Sequence, residues 1–112
     1  NNNFTAVYYK RSPGGAWSTA QVLPGGCTGA VGVDASDRIA ANGCPIPGSS
    51  RVTSAVFDPG ADHTYTSYVL LGGLGDRTEG GKAYGMSPNG TAVVGTAPTK
   101  PTRVGVRWRS GF

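Results

Sequence analysis

The sequence predicts an all-β fold, built as two four-stranded antiparallel repeats followed by a ninth strand. Three observations carry this. Glycine and proline supply 19 and 8 of the 112 residues, about twice ordinary usage, and both break helices. Val, Ile, Tyr, Phe and Trp recur in short runs between clusters of Gly, Pro, Asp, Asn and Ser, the pattern of strands and turns. Segments of the first half also return in the same order in the second. The glycines have no period of three, which excludes collagen. No apolar stretch approaches the roughly 18 residues of a spanning helix.

The first strand is expected over 4–10, where Phe4-Thr5-Ala6-Val7-Tyr8-Tyr9 places apolar groups on both faces. A strand covered on one side alternates more cleanly, so this one reads as sandwiched between layers. The second strand is expected over 20–23, the third over 30–34 and the fourth over 38–43. Asp34-Ala35-Ser36-Asp37 is the turn between the last two. The next four strands are expected over 52–58, 65–71, 82–87 and 91–96, and the ninth over 103–109. Ser87-Pro88-Asn89-Gly90 is the strongest turn signal, since proline presets φ and Gly90 suits a left-handed position.

The repetition is specific. Thr5-Ala6-Val7-Tyr8 returns in character as Ser54-Ala55-Val56-Phe57 and again as Val104-Gly105-Val106-Arg107-Trp108. Val22-Leu23-Pro24-Gly25-Gly26 returns as Val69-Leu70-Leu71-Gly72-Gly73, and the segment 30–37 returns as 83–90. One domain over 1–112 is expected, with units over about 4–51 and 52–102 and a partial third unit over 103–112. Four strands in a repeat of about 50 residues is the arithmetic of a β-propeller blade. Two blades cannot close a ring of about four to eight. The expected forms are therefore a homo-oligomeric ring or a piece of a longer repeat chain, with a compact nine-stranded monomer as the alternative. The chain opens on Asn1 without an initiator Met or a signal peptide, and is expected to be a processed or partial product.

Leu71-Gly72-Gly73-Leu74-Gly75, then Ala83-Tyr84-Gly85-Met86-Ser87-Pro88-Asn89-Gly90, then Val93-Val94-Gly95 resembles the HAF-type extracellular repeat. The segment 104–108, ending in Trp108, resembles its closing strand. The likeness is clearest over 67–108 and fainter over 22–41. In the first unit Asp37 stands at the turn glycine, and Ala40-Ala41-Asn42 stands for Val-Val-Gly. Ser54-Ala55-Val56-Phe57 stands where the family has His-Ala-Phe. The resemblance implies a secreted, repeat-built, propeller-like protein and brings no catalytic residues.

Cys27 and Cys44 flank the hairpin of the third and fourth strands. Cross-strand partners keep a constant sum of residue numbers, and both Asp34 with Asp37 and Cys27 with Cys44 sum to 71. A bulge slips this by one. The two sulfurs are therefore expected to bridge, which implies an oxidising compartment. Two buried free thiols are the alternative. One His, two Cys and one Met leave little for metal or redox chemistry, and no cofactor or metal is expected.

The candidates for chemistry are few. His63 lies in a loop with Asp62, and Thr64 and Ser67 follow, but no nucleophile motif surrounds it. Asp34 with Asp37, and Asp58 with Asp62, are sparse for calcium and suit turn capping better. Asp76 with Glu79 is a remote glycosidase pair. Gly72-Gly73-Leu74-Gly75 opens no helix, so it reads as a turn rather than a phosphate cradle. Lys100, Arg103, Arg107 and Arg109 form either a solvated strand face or an anion-facing stripe. The net charge of +4 is too small to favour nucleic acid.

These readings predict no enzyme. The leading expectation is a secreted, lectin-like binding module that recognises a glycan or a protein surface. Trp17, Tyr65, Tyr68, Arg107 and Trp108 are its candidate contacts; packing between blades is the plainer use of the rings. The alternative is a small disulfide-stabilised protein-binding or protease-inhibitor domain. It would present the loop 44–48 through Pro45, Ile46 and Pro47, whose proline-flanked rigidity lowers the entropic cost of binding.

Overall fold

A computed structural model describes residues 4–61, 64–72, 80–89, 92–98 and 103–109. It is all-β and antiparallel. Among the described residues, nine strands run in order as β1 (Val7–Tyr8), β2 (Gln21–Val22), β3 (Gly29–Val33), β4 (Ile39–Pro45), β5 (Val52–Pro59), β6 (Tyr65–Leu71), β7 (Lys82–Met86), β8 (Ala92–Pro98) and β9 (Arg103–Arg109). Each lies where the sequence places a strand. β1 and β2 are much shorter than expected. They pair only with each other, and Phe4 and Tyr9, which would extend β1, are 75% and 56% exposed.

The grouping of strands differs from the expected pair of four-stranded layers. The sheets are β1-β2, β3-β4-β5-β6 and β7-β8-β9, and they are separate rather than arranged as a propeller. The reason is the connection after β4. The Ile46 N–H donates to the Arg51 carbonyl at 3.0 Å and the Ser49 N–H to the Ile46 carbonyl at 3.1 Å. Gly48 takes φ 77° in that turn. β5 therefore folds back on β4 as a hairpin, across the boundary that the sequence repeat suggests.

The repetition itself is visible in the strand registers. Val7 pairs with Val22 and Tyr8 with Gln21, as Val56 pairs with Val69 and Phe57 with Tyr68. Ala30 pairs with Ala41 and Gly32 with Ala40, skipping Val31; likewise Ala83 pairs with Gly95 and Gly85 with Val94, skipping Tyr84. Ile39 faces Phe57 and Ala40 faces Val56, as Val93 faces Trp108 and Val94 faces Arg107. The bulge at Val31 also explains the cysteine arithmetic. It slips the register by one near the turn and leaves the Cys end on the expected sum. Cys27 and Cys44 are joined by a disulfide.

The middle sheet is covered on both faces. One face packs Ile39, Ala41, Ala55 and Phe57 against Ala6, Leu23 and the disulfide. The other packs Ala40, Val56 and Leu71 against Ala83, Val93 and Trp108 of the third sheet. A polar seam joins these two sheets. The Asn42 side-chain amide donates to the Ala83 carbonyl at 2.9 Å and accepts from the Ala83 N–H at 2.7 Å. Those are the two bonds a neighbouring strand would make. The Thr53 hydroxyl donates to the Leu71 carbonyl at 2.6 Å and accepts from the Gly81 N–H at 3.2 Å. Burial without such partners would cost roughly 1–3 kcal/mol per group. Close approach requires glycine at Gly95, where a β-carbon would collide with the Lys82 carbonyl.

Candidate functional site

The chain leaves β1 at Tyr8 and closes a short loop before β2. The Ser12 N–H donates to the Ala16 carbonyl at 2.8 Å, and the Ser18 N–H to the Lys10 carbonyl at 2.8 Å. Gly15 takes φ 93°, a conformation that favours glycine. This loop sets Arg11 opposite Trp17. The Arg11 guanidinium sits 5.7 Å from the centre of the indole, and its Nε donates to the Gly15 carbonyl at 3.4 Å. Trp17 remains 65% exposed.

A cleft of about 680 Å³ opens between this loop and the middle sheet. Tyr8, Tyr9, Trp17 and Tyr65 line it as aromatic surfaces, Val31 and Ile39 as aliphatic ones, and Lys10, Arg11 and Asp37 as charged groups. Tyr8 meets Tyr65 edge to face, with centroids 4.7 Å apart. The Tyr65 hydroxyl donates to the Asp37 carbonyl at 2.5 Å. Burial first, and then the negative charge of Asp37, raise the Tyr65 hydroxyl above its ordinary value of 10.0. Tyr65 is therefore a neutral donor at physiological pH. Asp37 itself takes φ 64°, at the turn position that the sequence aligns with Gly90. The Asp34 carboxylate holds that turn: Oδ1 accepts from the Ser36 and Arg38 N–H groups, both at 2.8 Å, and Oδ2 from Arg38 Nε at 3.0 Å. Asp34 is thus a turn cap.

The arrangement offers surfaces for recognition. Flat aromatic faces beside a few charged and hydrogen-bonding groups suit a ligand with both apolar and polar surfaces. Among the described residues, no group of three or more His, Cys, Asp or Glu side chains could hold a metal ion.

The structure brings Trp17 and Tyr65 to one cleft and places the other candidates elsewhere. Tyr68 stacks on Phe57 with centroids 4.9 Å apart. Trp108 packs in the second core cluster and donates its indole N–H to the Gly72 carbonyl at 2.9 Å. Arg107 lies on the third sheet. Pro45 ends β4 opposite Val52, and Ile46 and Pro47 lie in the tight turn that follows. Asp62, His63, Gly73, Leu74, Gly75, Asp76, Glu79 and Lys100 lie outside the described residues. Tyr8, Tyr9 and Arg11 escaped the sequence reading as site residues, and Asp37 entered it only as a calcium or turn-capping candidate. The one signal for Tyr8 and Tyr9 is that they form a double aromatic at the end of the expected first strand, which reads equally well as core; Arg11 carries no such signal.

Comparison with protein-family models, with curated proteins and with solved structures returns no match.

Proposed function

We propose that this chain is a non-enzymatic carbohydrate-binding module whose ligand lies in the cleft beside Trp17. The observation that carries the reading is the convergence of Tyr8, Tyr9, Trp17 and Tyr65 on one opening with Lys10, Arg11 and Asp37. A sugar ring has an apolar face that stacks on an aromatic ring and hydroxyls that need donors and acceptors at the rim. Arg11 against the Trp17 ring restrains that ring before ligand arrives, which lowers the cost of ordering it. The disulfide supports an oxidising, extracellular setting, where glycans are abundant.

The test is a glycan array followed by titration of the best sugar. Wild type is expected to retain a defined glycan. Trp17→Ala is expected to weaken it at least tenfold, while Tyr68→Phe, outside the cleft, leaves it unchanged. Failure of wild type to retain any sugar, or equal binding by Trp17→Ala, overturns the proposal.

A further inference from the structure

The charge of this protein is divided between two parts of the chain. All six carboxylates lie before residue 80, whereas Lys82, Lys100, Arg103, Arg107 and Arg109 all lie after it. The third sheet therefore carries cations and no acidic residue of its own. Its outer face is defined by register. Val94 lies opposite Arg107, Ala92 opposite Arg109, and Thr96 opposite Lys82, and directly opposed residues point to the same side. The Lys82 ammonium lies 5.7 Å from the centre of the Tyr84 ring, which puts Tyr84 on that side too. Tyr84 and Val94 are 60% and 48% exposed, and Lys82, Arg107 and Arg109 are exposed as well.

The repeat shows what this face is not. Ala40 and Val56 hold the same register in the middle sheet, and there they are buried under the third sheet. In the third sheet those two places belong to Val94 and Arg107. An arginine where the repeat has a buried valine does not suit another packed apolar layer, because an unpaired buried charge is costly. A second copy meeting face to face would set Arg107 and Arg109 against themselves. The complementary occupant is anionic.

We infer that the outer face of β7-β8-β9 binds an acidic polysaccharide, one bearing carboxylate or sulfate groups, through Lys82, Arg107 and Arg109. Arg107 and Arg109 are two residues apart on one strand, roughly 7 Å; Lys82 lies two strands away, level with Gly105, so it is roughly 12 Å from Arg107 along the sheet. Such sparse charges on an open face suit acidic groups spread along a sugar chain. Duplex DNA carries one charge per about 1.7 Å of axis, far denser than this face can match. Tyr84 adds an aromatic surface for a sugar ring. This site is separate from the Trp17 cleft and rests on different residues.

The test titrates the full chain with polygalacturonate, dextran sulfate, neutral dextran and duplex DNA at about 50 and 200 mM salt. One or both acidic polysaccharides are expected to bind, at least tenfold more weakly at the higher salt, and the two arms distinguish carboxylate from sulfate. The double variant Arg107→Gln with Arg109→Gln is expected to lose at least tenfold in affinity. Lys82→Gln, on another strand, is expected to lose at least threefold. Arg51→Glu, exposed on the β4–β5 connection, lowers net charge as much as the double variant and is expected to change affinity less than twofold. Far-UV circular dichroism checks that each variant is folded. Four results overturn the inference: no binding of either acidic polymer, equal binding of neutral dextran, tighter binding of DNA, or equal losses in Arg51→Glu and the double variant.

Discussion

The hairpins β3-β4 and β7-β8 are the same object in two settings. Both skip one residue at the same place, Val31 in one and Tyr84 in the other. Both tie their turn with a side chain at the same position. Asp34 Oδ1 accepts from the Arg38 N–H at 2.8 Å, and Ser87 Oγ accepts from the Ala92 N–H at 3.0 Å. Yet β3-β4 belongs to a sheet covered on both faces and bridged by Cys27–Cys44, whereas β7-β8 keeps one face in solvent. A shared pattern of small residues, turn and bulge builds the hairpin. A handful of outward positions then decides what touches it.

The sharpest way to break the comparison is to exchange its key pair. Val56 is 5% exposed at the place that Arg107 holds in the third sheet. Val56→Arg buries an unpaired charge and is expected to cost more than about 4 kcal/mol, read as loss of the cooperative urea transition. The reciprocal Arg107→Val is expected to stay within about 0.5 kcal/mol of wild type. Comparable losses in both variants would show that the two faces are equally packed. Next in size is the bridge, which spans 17 residues. Cys27→Ala with Cys44→Ala is expected to lose about 3 kcal/mol in the same assay, through the freer unfolded chain. Hydrogen exchange should then quicken in β3-β4 before β7-β8.

The smallest expected effect concerns Tyr65, whose hydroxyl links β6 to the Asp37 turn. Burial and Asp37 raise its pKa in the folded state above 10.0. The native protein thus holds this proton more tightly than the unfolded chain does. The associated stability is complete below about pH 10 and is lost as pH rises through the native pKa. Tyr65→Phe is expected to cost roughly 1 kcal/mol at neutral pH and to flatten the alkaline fall. A variant that falls as steeply as wild type would show that another group controls it.

Much of the fold was legible because it is local. Alternating and β-branched runs mark strands, and Gly, Pro, Asp and Ser mark turns, so all nine strands fall where those signals lie. The cysteine pairing was readable because hairpin register is arithmetic, and the bulge at Val31 left that arithmetic intact at the disulfide end. The assignment of strands to sheets was not readable. A strand carries the same pattern whichever neighbour it pairs with, and the turn after Pro45 joined β4 to β5 across the repeat boundary. The site was legible only in part. Trp17 and Tyr65 both stand out as candidate contacts, but nothing in the 48-residue separation between them says that they share one cleft or that Tyr8 joins them there.

By itself the sequence determined the class, the strands, the repeat and the bridge, all set by short-range preferences and by residues a turn brings back together. Tertiary structure alone decided which strands share a sheet, that the middle sheet is covered on both sides, and that Trp17, Tyr8 and Tyr65 face one cleft. The physical reason is that strand edges and apolar faces are interchangeable in pattern. Only packing in three dimensions, with Asn42 holding Ala83 and Arg107 left in solvent, chooses among their partners.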